Sequence, residues 1–183
     1  RVKLPFLLDG IEILQISNSC ELIKNNSLKE LVLRNVSKIE FKETELNMDE
    51  MKEWKEECCE YFNNLKNLNM TNCSNIEIEE RMKEIEHLQM SSCKSCSVNV
   101  ESDKLNEVTF NSNENCKMKV KINNEKPISI SNCNGCSIEI DCKEGIKPNI
   151  KIESCNNLSL KCNKPIGSLE IIKTRNMVLE NEI

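Results

Sequence analysis

The chain has little of what most catalytic sites are built from. It contains one histidine, His87, so no Ser/His/Asp set can be assembled around a second one, and its four glycines are too scattered for a phosphate-cradling loop. Aromatic residues make up 3% of the 183 residues, which suits a narrow interior of aliphatic and thiol side chains. No apolar run approaches the length needed to span a bilayer. Basic residues form no stripe either. The net charge is −5, and Glu43 to Glu60 alone carries eight acids against Lys52 and Lys55. The rest of the chain is close to neutral, without the positive surface on which phosphate-backbone binding depends. Nucleic acid is therefore not an expected partner, and no cofactor is expected.

What the chain does have is a repeat. An apolar pair recurs as Leu68/Met70, Leu88/Met90, Val108/Phe110, Ile128/Ile130, Ile150/Ile152 and Leu169/Ile171, in steps of 20, 20, 20, 22 and 19 residues. Each pair is followed by a Cys, Asn or Thr, then by a second alternating run such as Ile76/Ile78 or Cys136/Ile138/Ile140. Period-two apolar spacing places every second side chain inward along a strand. Two strands per repeat, with Asn, Ser, Gly and Pro between them, predict a mainly β, parallel β-solenoid over residues 1–183. Eight turns are expected, opening near Ile11, Leu28, Leu65, Ile85, Leu105, Glu125, Lys147 and Ile166.

Residues 44–62 break the repeat. Leu46, Met51, Trp54, Cys58 and Tyr61 recur at helical spacing among acidic residues, and Asn47 with Glu50 offers a cap. This segment is expected to be an amphipathic helical insertion. It is either a lid packed through Trp54, or a partner-docking element presenting Trp54, Glu53, Glu56 and Glu57.

Twelve cysteines carry the distinctive chemistry. Cys73, Cys93, Cys133 and Cys155 fall in one column of the repeat, where other turns have Asn113 and Thr174. Cys96, Cys116 and Cys136 fall in a second, where other turns have Ile76, Leu158 and Met177. Cys142 and Cys162 continue the alternation of their own strands. Exchange with Ile, Leu and Met marks cysteine as a small buried hydrophobe. Cys93-x-x-Cys96 and Cys133-x-x-Cys136 each have the spacing of half a zinc site. In register they stand two turns apart, ~9.5 Å, too far for four bonds of about 2.3 Å to one ion. No metal is expected. Stacked neighbours such as Cys96 and Cys116 come within disulfide range, so oxidised and reduced forms both remain open, and the compartment with them. Cysteine density and the acceptor triplets at Asn25, Asn35, Asn69, Asn72 and Asn157 lean towards secretion or the cell surface.

Leu65-x-x-Leu68-x-Met70-x-x-Cys73, repeated as Ile85-x-x-Leu88-x-Met90-x-x-Cys93, resembles the leading segment of cysteine-containing leucine-rich repeats. Apolar residues three and five after the Cys imply a second strand where those repeats turn into helix. The stretch from Cys116 to Leu179, centred on ISISNCNGCSIEI, is similar in repeat grammar to the β-helical carboxyl domain of cyclase-associated proteins. That resemblance implies an intracellular actin-regulating module that dimerises through end strands, with no actin-binding residue matched position by position. The residues themselves point to a non-enzymatic structural or protein-interaction solenoid, such as a surface or wall component of a lower eukaryote. A carbohydrate-active enzyme is the remaining alternative, but its paired carboxylates are met only by Glu77 and Glu79 on one strand. The edge at Met177–Leu179 is expected to pair in a homodimer or an end-to-end assembly, to take a protein partner, or to be covered by a further carboxyl-terminal segment, with Pro5 to Leu8 capping the opposite end.

Overall fold

The computed structural model describes residues 64–78 and 82–181, together with five strands between residues 2 and 42. The upstream strands are β1 (Val2–Lys3), β2 (Ile13–Ser17), β3 (Cys20–Ile23), β4 (Glu30–Arg34) and β5 (Ile39–Lys42). Then follow β6 (Asn67–Thr71), β7 (Glu77–Ile78), β8 (His87–Ser91), β9 (Ser97–Glu101), β10 (Glu107–Asn111) and β11 (Lys117–Ile122). The last are β12 (Pro127–Ser131), β13 (Ser137–Cys142), β14 (Asn149–Glu153), β15 (Ser159–Cys162), β16 (Ser168–Ile172) and β17 (Val178–Asn181). No helix occurs among the described residues, and the insertion expected at 44–62 lies outside them.

The strands stack as a parallel β-solenoid. A first sheet runs β2-β4-β6-β8-β10-β12-β14-β16, and a second runs β7-β9-β11-β13-β15-β17. The repeat read from sequence is the register of the sheets: Leu68 pairs with Leu88, Leu88 with Val108, Val108 with Ile128 and Ile128 with Ile150. Among the described residues six turns, from β6/β7 to β16/β17, carry strands of both sheets, rather than the eight expected from the sequence. Upstream, β2 and β4 extend the first sheet, while β3 and β5 pair with each other and with β1 in a separate three-stranded sheet. The second face is therefore divided between β5 and β7, where the 20-residue rhythm is interrupted. At the amino end β1 adds a strand, Val2 pairing with Cys20; residues 5–8, the expected cap, lie outside the described ones.

Inward residues of the two sheets meet in one continuous core from Leu65 to Cys162. Each fully buried Leu, Ile or Val there is worth about 1.5–3 kcal/mol relative to exposure. Phe110 is the one aromatic residue of this core.

Between the two sheets the chain turns a corner by a fixed device. Two residues three apart adopt left-handed backbone conformation in every complete turn: Asn72 and Asn75, Ser92 and Ser95, Ser112 and Asn115, Asn132 and Gly135, Ser154 and Asn157, Lys173 and Asn176. Asn and Gly tolerate this region best, which explains their concentration at the corners. The residue pair between them faces alternately in and out, and its outward member bridges to the next turn: Ser74 to Lys94, Lys94 to Glu114, Glu114 to Asn134. Hydrogen bonding thus continues through the bend, as in Lys94 N–H to Cys73 O at 2.8 Å and Asn75 N–H to Lys94 O at 3.0 Å.

Ser112, at φ 55°, tests the device. Ser112→Val should cost about 1–2 kcal/mol because a branched side chain is forced into the left-handed region. Ser112→Gly should be neutral or stabilising. Urea unfolding midpoints of the two variants, moving in opposite directions or at least well apart, check this.

Candidate functional site

Three features of the solenoid carry chemistry: its internal thiols, its uncharged outer rows and its last turn. The thiols follow from the corner. Cys73, Cys93, Cys133 and Cys155 are buried immediately after the first left-handed residue, and Cys96, Cys116 and Cys136 immediately after the second. In both places the Sγ sits near the carbonyl two residues back, at 3.2 Å for Cys133 to Ser131 O and 3.4 Å for Cys116 to Glu114 O. Several also reach a carbonyl of the preceding turn, as Cys133 does to Phe110 O at 3.4 Å. Cysteine here is a small hydrophobe whose weak S–H donor meets carbonyls at a bend, a combination that no aliphatic residue offers.

The same corner accepts a hydrogen bond. Asn113 replaces cysteine in the first column and is buried, with Cys93 N–H donating to its Oδ1 at 2.9 Å and its Nδ2 donating to Met90 O at 3.1 Å. Thr174 Oγ1 accepts from Cys155 N–H at 3.3 Å, and Cys116 Sγ from Cys96 N–H at 3.3 Å. In the first column, Asn113 and Thr174 thus each accept one backbone N–H and donate to a carbonyl. Sequence reading found the preference for a short, weakly polar residue without its cause.

The thiols group as Cys73–Cys93–Cys96–Cys116, as Cys136–Cys133–Cys155 and as Cys142–Cys162. Within each group, donors are pushed up and acceptors held down. Hydrogen bonding to Cys73 and then Cys96, with burial, raises Cys93. Cys136 and then Cys155 raise Cys133, Cys96 raises Cys116, and Cys162 raises Cys142. Cys96 is lowered by the S–H groups of Cys116 and Cys93, against the opposing effect of burial. Cys136 and Cys155 are lowered to about 7 by Cys133, and Cys162 to about 7 by Cys142. The thiols from Cys93 to Cys162 form no disulfide. Among the described residues no group of three or more His, Cys, Asp or Glu side chains has the geometry of a metal site. Asn113 and Cys116 lie between the two C-x-x-C motifs.

On the outside, the two sheets differ in charge. The second sheet presents charged residues, among them Lys117, Lys119 and Lys121 on β11, with Lys119 Nζ 3.2 Å from Glu139 Oε1 of the next turn. The first sheet presents an uncharged row of Asn69, Gln89, Thr109 and Ser129 across β6, β8, β10 and β12, in register. Beside it runs a second such row, Thr71, Ser91, Asn111 and Ser131. Asn111 Oδ1 accepts from Ser112 Oγ, Ser131 Oγ and Asn132 Nδ2 at 3.0–3.2 Å, which ties neighbouring turns together. One turn upstream the two rows continue in Val32, which is 3% exposed, and Arg34, which is exposed.

The last turn differs from the rest. Ile171 and Leu179 continue the inward rows of Ile152 and Leu160, yet they are 48% and 43% exposed where their predecessors are 0%. Outward positions also become apolar: Ile172 stands where Glu153 stands one turn earlier, and Val178, 55% exposed, where Ser159 does.

Sequence-predicted acids do not converge. Glu77 is exposed on β7, Glu139 is paired with Lys119, and Glu79 lies outside the described residues. Trp54, Glu53, Glu56 and Glu57, the proposed docking set, lie outside them as well. His87 faces solvent with its Nδ1 3.2 Å from Glu107 Oε2. No helix among the described residues is long and apolar enough to cross a membrane. Comparison with family models, curated proteins and solved structures finds no match, so the likeness to leucine-rich repeats and cyclase-associated proteins is one of repeat pattern.

Two outcomes are expected from the thiol columns. Asn113→Leu should destabilise by about 1–3 kcal/mol by orphaning Cys93 N–H, and Asn113→Cys should recover much of that loss. In the native protein the thiols from Cys93 to Cys162 should resist iodoacetamide, and peptide mapping after brief labelling should find them modified only when denaturant is present.

Proposed function

We propose that this chain is a non-enzymatic structural solenoid that works by association through its last turn, with a second copy of itself as the first partner. The observation that supports this reading is the apolar change in β16 and β17. Exposure of the inward residues Ile171 and Leu179 alone would describe any uncovered end. Apolar residues at the outward positions of Ile172 and Val178 are a separate matter, since the preceding turns place Glu153 and Ser159 there. A surface that is apolar both on its end and on its flanks is matched to a partner that reaches past the edge. The outer edges of β16 and β17 pair with no other strand among the described residues. An unpaired strand edge is a template for another chain.

A non-catalytic role is supported by the use of the reactive groups. The buried thiols are engaged with backbone groups and with each other, and the described carboxylates are paired or dispersed along the faces. The reading as a secreted or surface component and the reading as an intracellular module share this association chemistry.

Light scattering at micromolar concentration should report a mass above the 21.1 kDa of one chain. The double variant Leu179→Asp/Val178→Lys should weaken association by about tenfold or more, since each buried aliphatic side chain is worth about 1.5–3 kcal/mol. A monomer at every concentration, or a variant that associates like the wild type, would sink the proposal.

A further inference from the structure

We infer that the uncharged strip on the first sheet binds a neutral polysaccharide lying along the solenoid axis, across β6, β8, β10 and β12. This surface is separate from the last turn, and the inference does not rest on self-association. In those four turns the outward row from Asn69 to Ser129, the row from Thr71 to Ser131 and the corner residues beside them are all Asn, Gln, Ser or Thr. The chain is 30% charged, and the second sheet carries charge in the same turns, so the strip is a local exclusion of ions. Charge borders it on each described side: Glu107 and Lys126 at one margin, the Lys94–Glu114 pair (3.2 Å) at the other, and Lys151 one turn further on.

Amide and hydroxyl side chains both donate and accept, as sugar hydroxyls do. Rows repeat at the strand spacing of ~4.8 Å, about the length of one sugar ring. Dehydrating neutral groups costs far less than dehydrating ions. Part of the strip is satisfied internally, as at Asn111. Among the described residues, however, Thr109 and Ser129 hydroxyls take no protein hydrogen bond, and Gln89 uses only its Oε1, accepting from Asn69 Nδ2 at 3.4 Å. Thr109 and Ser129 also line a shallow hollow with His87, Glu107, Lys126 and Lys151, which marks the charged margin of the strip. Side chains that merely pinned the stack would be bonded across it; these point their unused valences outward.

The test is retention of the purified chain by suspensions of cellulose, β-1,3-glucan and chitin. It is made without glycosylation, because Asn69 and Asn72 begin acceptor triplets. At least one polysaccharide should retain it, equally at low and high salt, since no ion pair is involved. Gln89→Ala/Thr109→Ala/Ser129→Ala should cut retention by about tenfold, the loss of two or three hydrogen bonds. Its unfolding midpoint should stay near that of the wild type, and Lys119→Ala on the other sheet should bind normally. If the triple variant fails to fold, Thr109→Lys alone should abolish retention. No retention by any of the three, retention that falls with salt, or equal loss in Lys119→Ala would overturn the inference. So would thermal hysteresis on freezing without polysaccharide retention, which would make ordered ice the ligand.

Discussion

Continuity of the parallel hydrogen-bond ladder through the corner is the constraint on which the rest of this structure depends. A solenoid turn has too few contacts of its own to hold a conformation, and its stability arises between neighbours. A bend that broke the ladder would leave polar backbone groups orphaned near the core. Here the break is avoided by placing two left-handed residues three apart, so that the outward residue between them still bridges to the next turn, as Ser74 does to Lys94 and Lys94 to Glu114. Everything else is fitted to that bend. Asn, Ser and Gly occupy the left-handed positions except at Lys173, cysteine or a short polar residue lies just inside the first of each pair, and the strands leave at a fixed phase.

Cysteine abundance then has a local cause. The inner corner exposes carbonyls that profit from a weak donor, and the second column takes Ile76 or Leu158 as readily as cysteine, so there the thiol serves as a buried hydrophobe. Asn113 and Thr174 accept a backbone N–H there with an oxygen, and Cys116 accepts one with its weaker sulfur. Clustering of the thiols is a by-product of stacking the same solution. Partners of the raised cysteines are held as acceptors, and the groups are closed to solvent. This separates cysteine density from its usual meanings: neither a disulfide framework nor a metal cage is needed to account for it among the described residues.

Much of this was legible in the sequence because a solenoid writes its register directly into a period. The pairing of Leu68 with Leu88 and of Ile128 with Ile150 follows from counting twenty and twenty-two residues. The division of the second face between β5 and β7 was harder to read, since alternation fixes the phase of a strand but not which neighbour it pairs with. The hydrogen-bond role of the first cysteine column was hidden for a similar reason: a Cys, Asn or Thr in one column signals size and weak polarity, not the N–H that it receives. The uncharged rows were visible as residue types but not as a surface. Asn69, Gln89, Thr109 and Ser129 are twenty residues apart, and only the stacking sets them side by side.

The two outer surfaces differ in how they depend on the stack. Rows on the first sheet exist only while register holds, because a slip of one residue would replace Thr109 by Val108 or Phe110 and present apolar side chains to water. Cross-turn bonds such as Ser131 Oγ to Asn111 Oδ1, and ion pairs such as Lys66–Glu86 and Lys119–Glu139, oppose that slip from outside while the core opposes it from within. The exposed pairs are each worth little, but they recur turn after turn on the same register, where like charges placed opposite would repel. In the turn of β16 and β17, Ile171, Val178 and Leu179 stand exposed among the described residues. The partner proposed for this turn would supply to it what each inner turn receives from its successor: backbone pairing, a covered core and a fixed register.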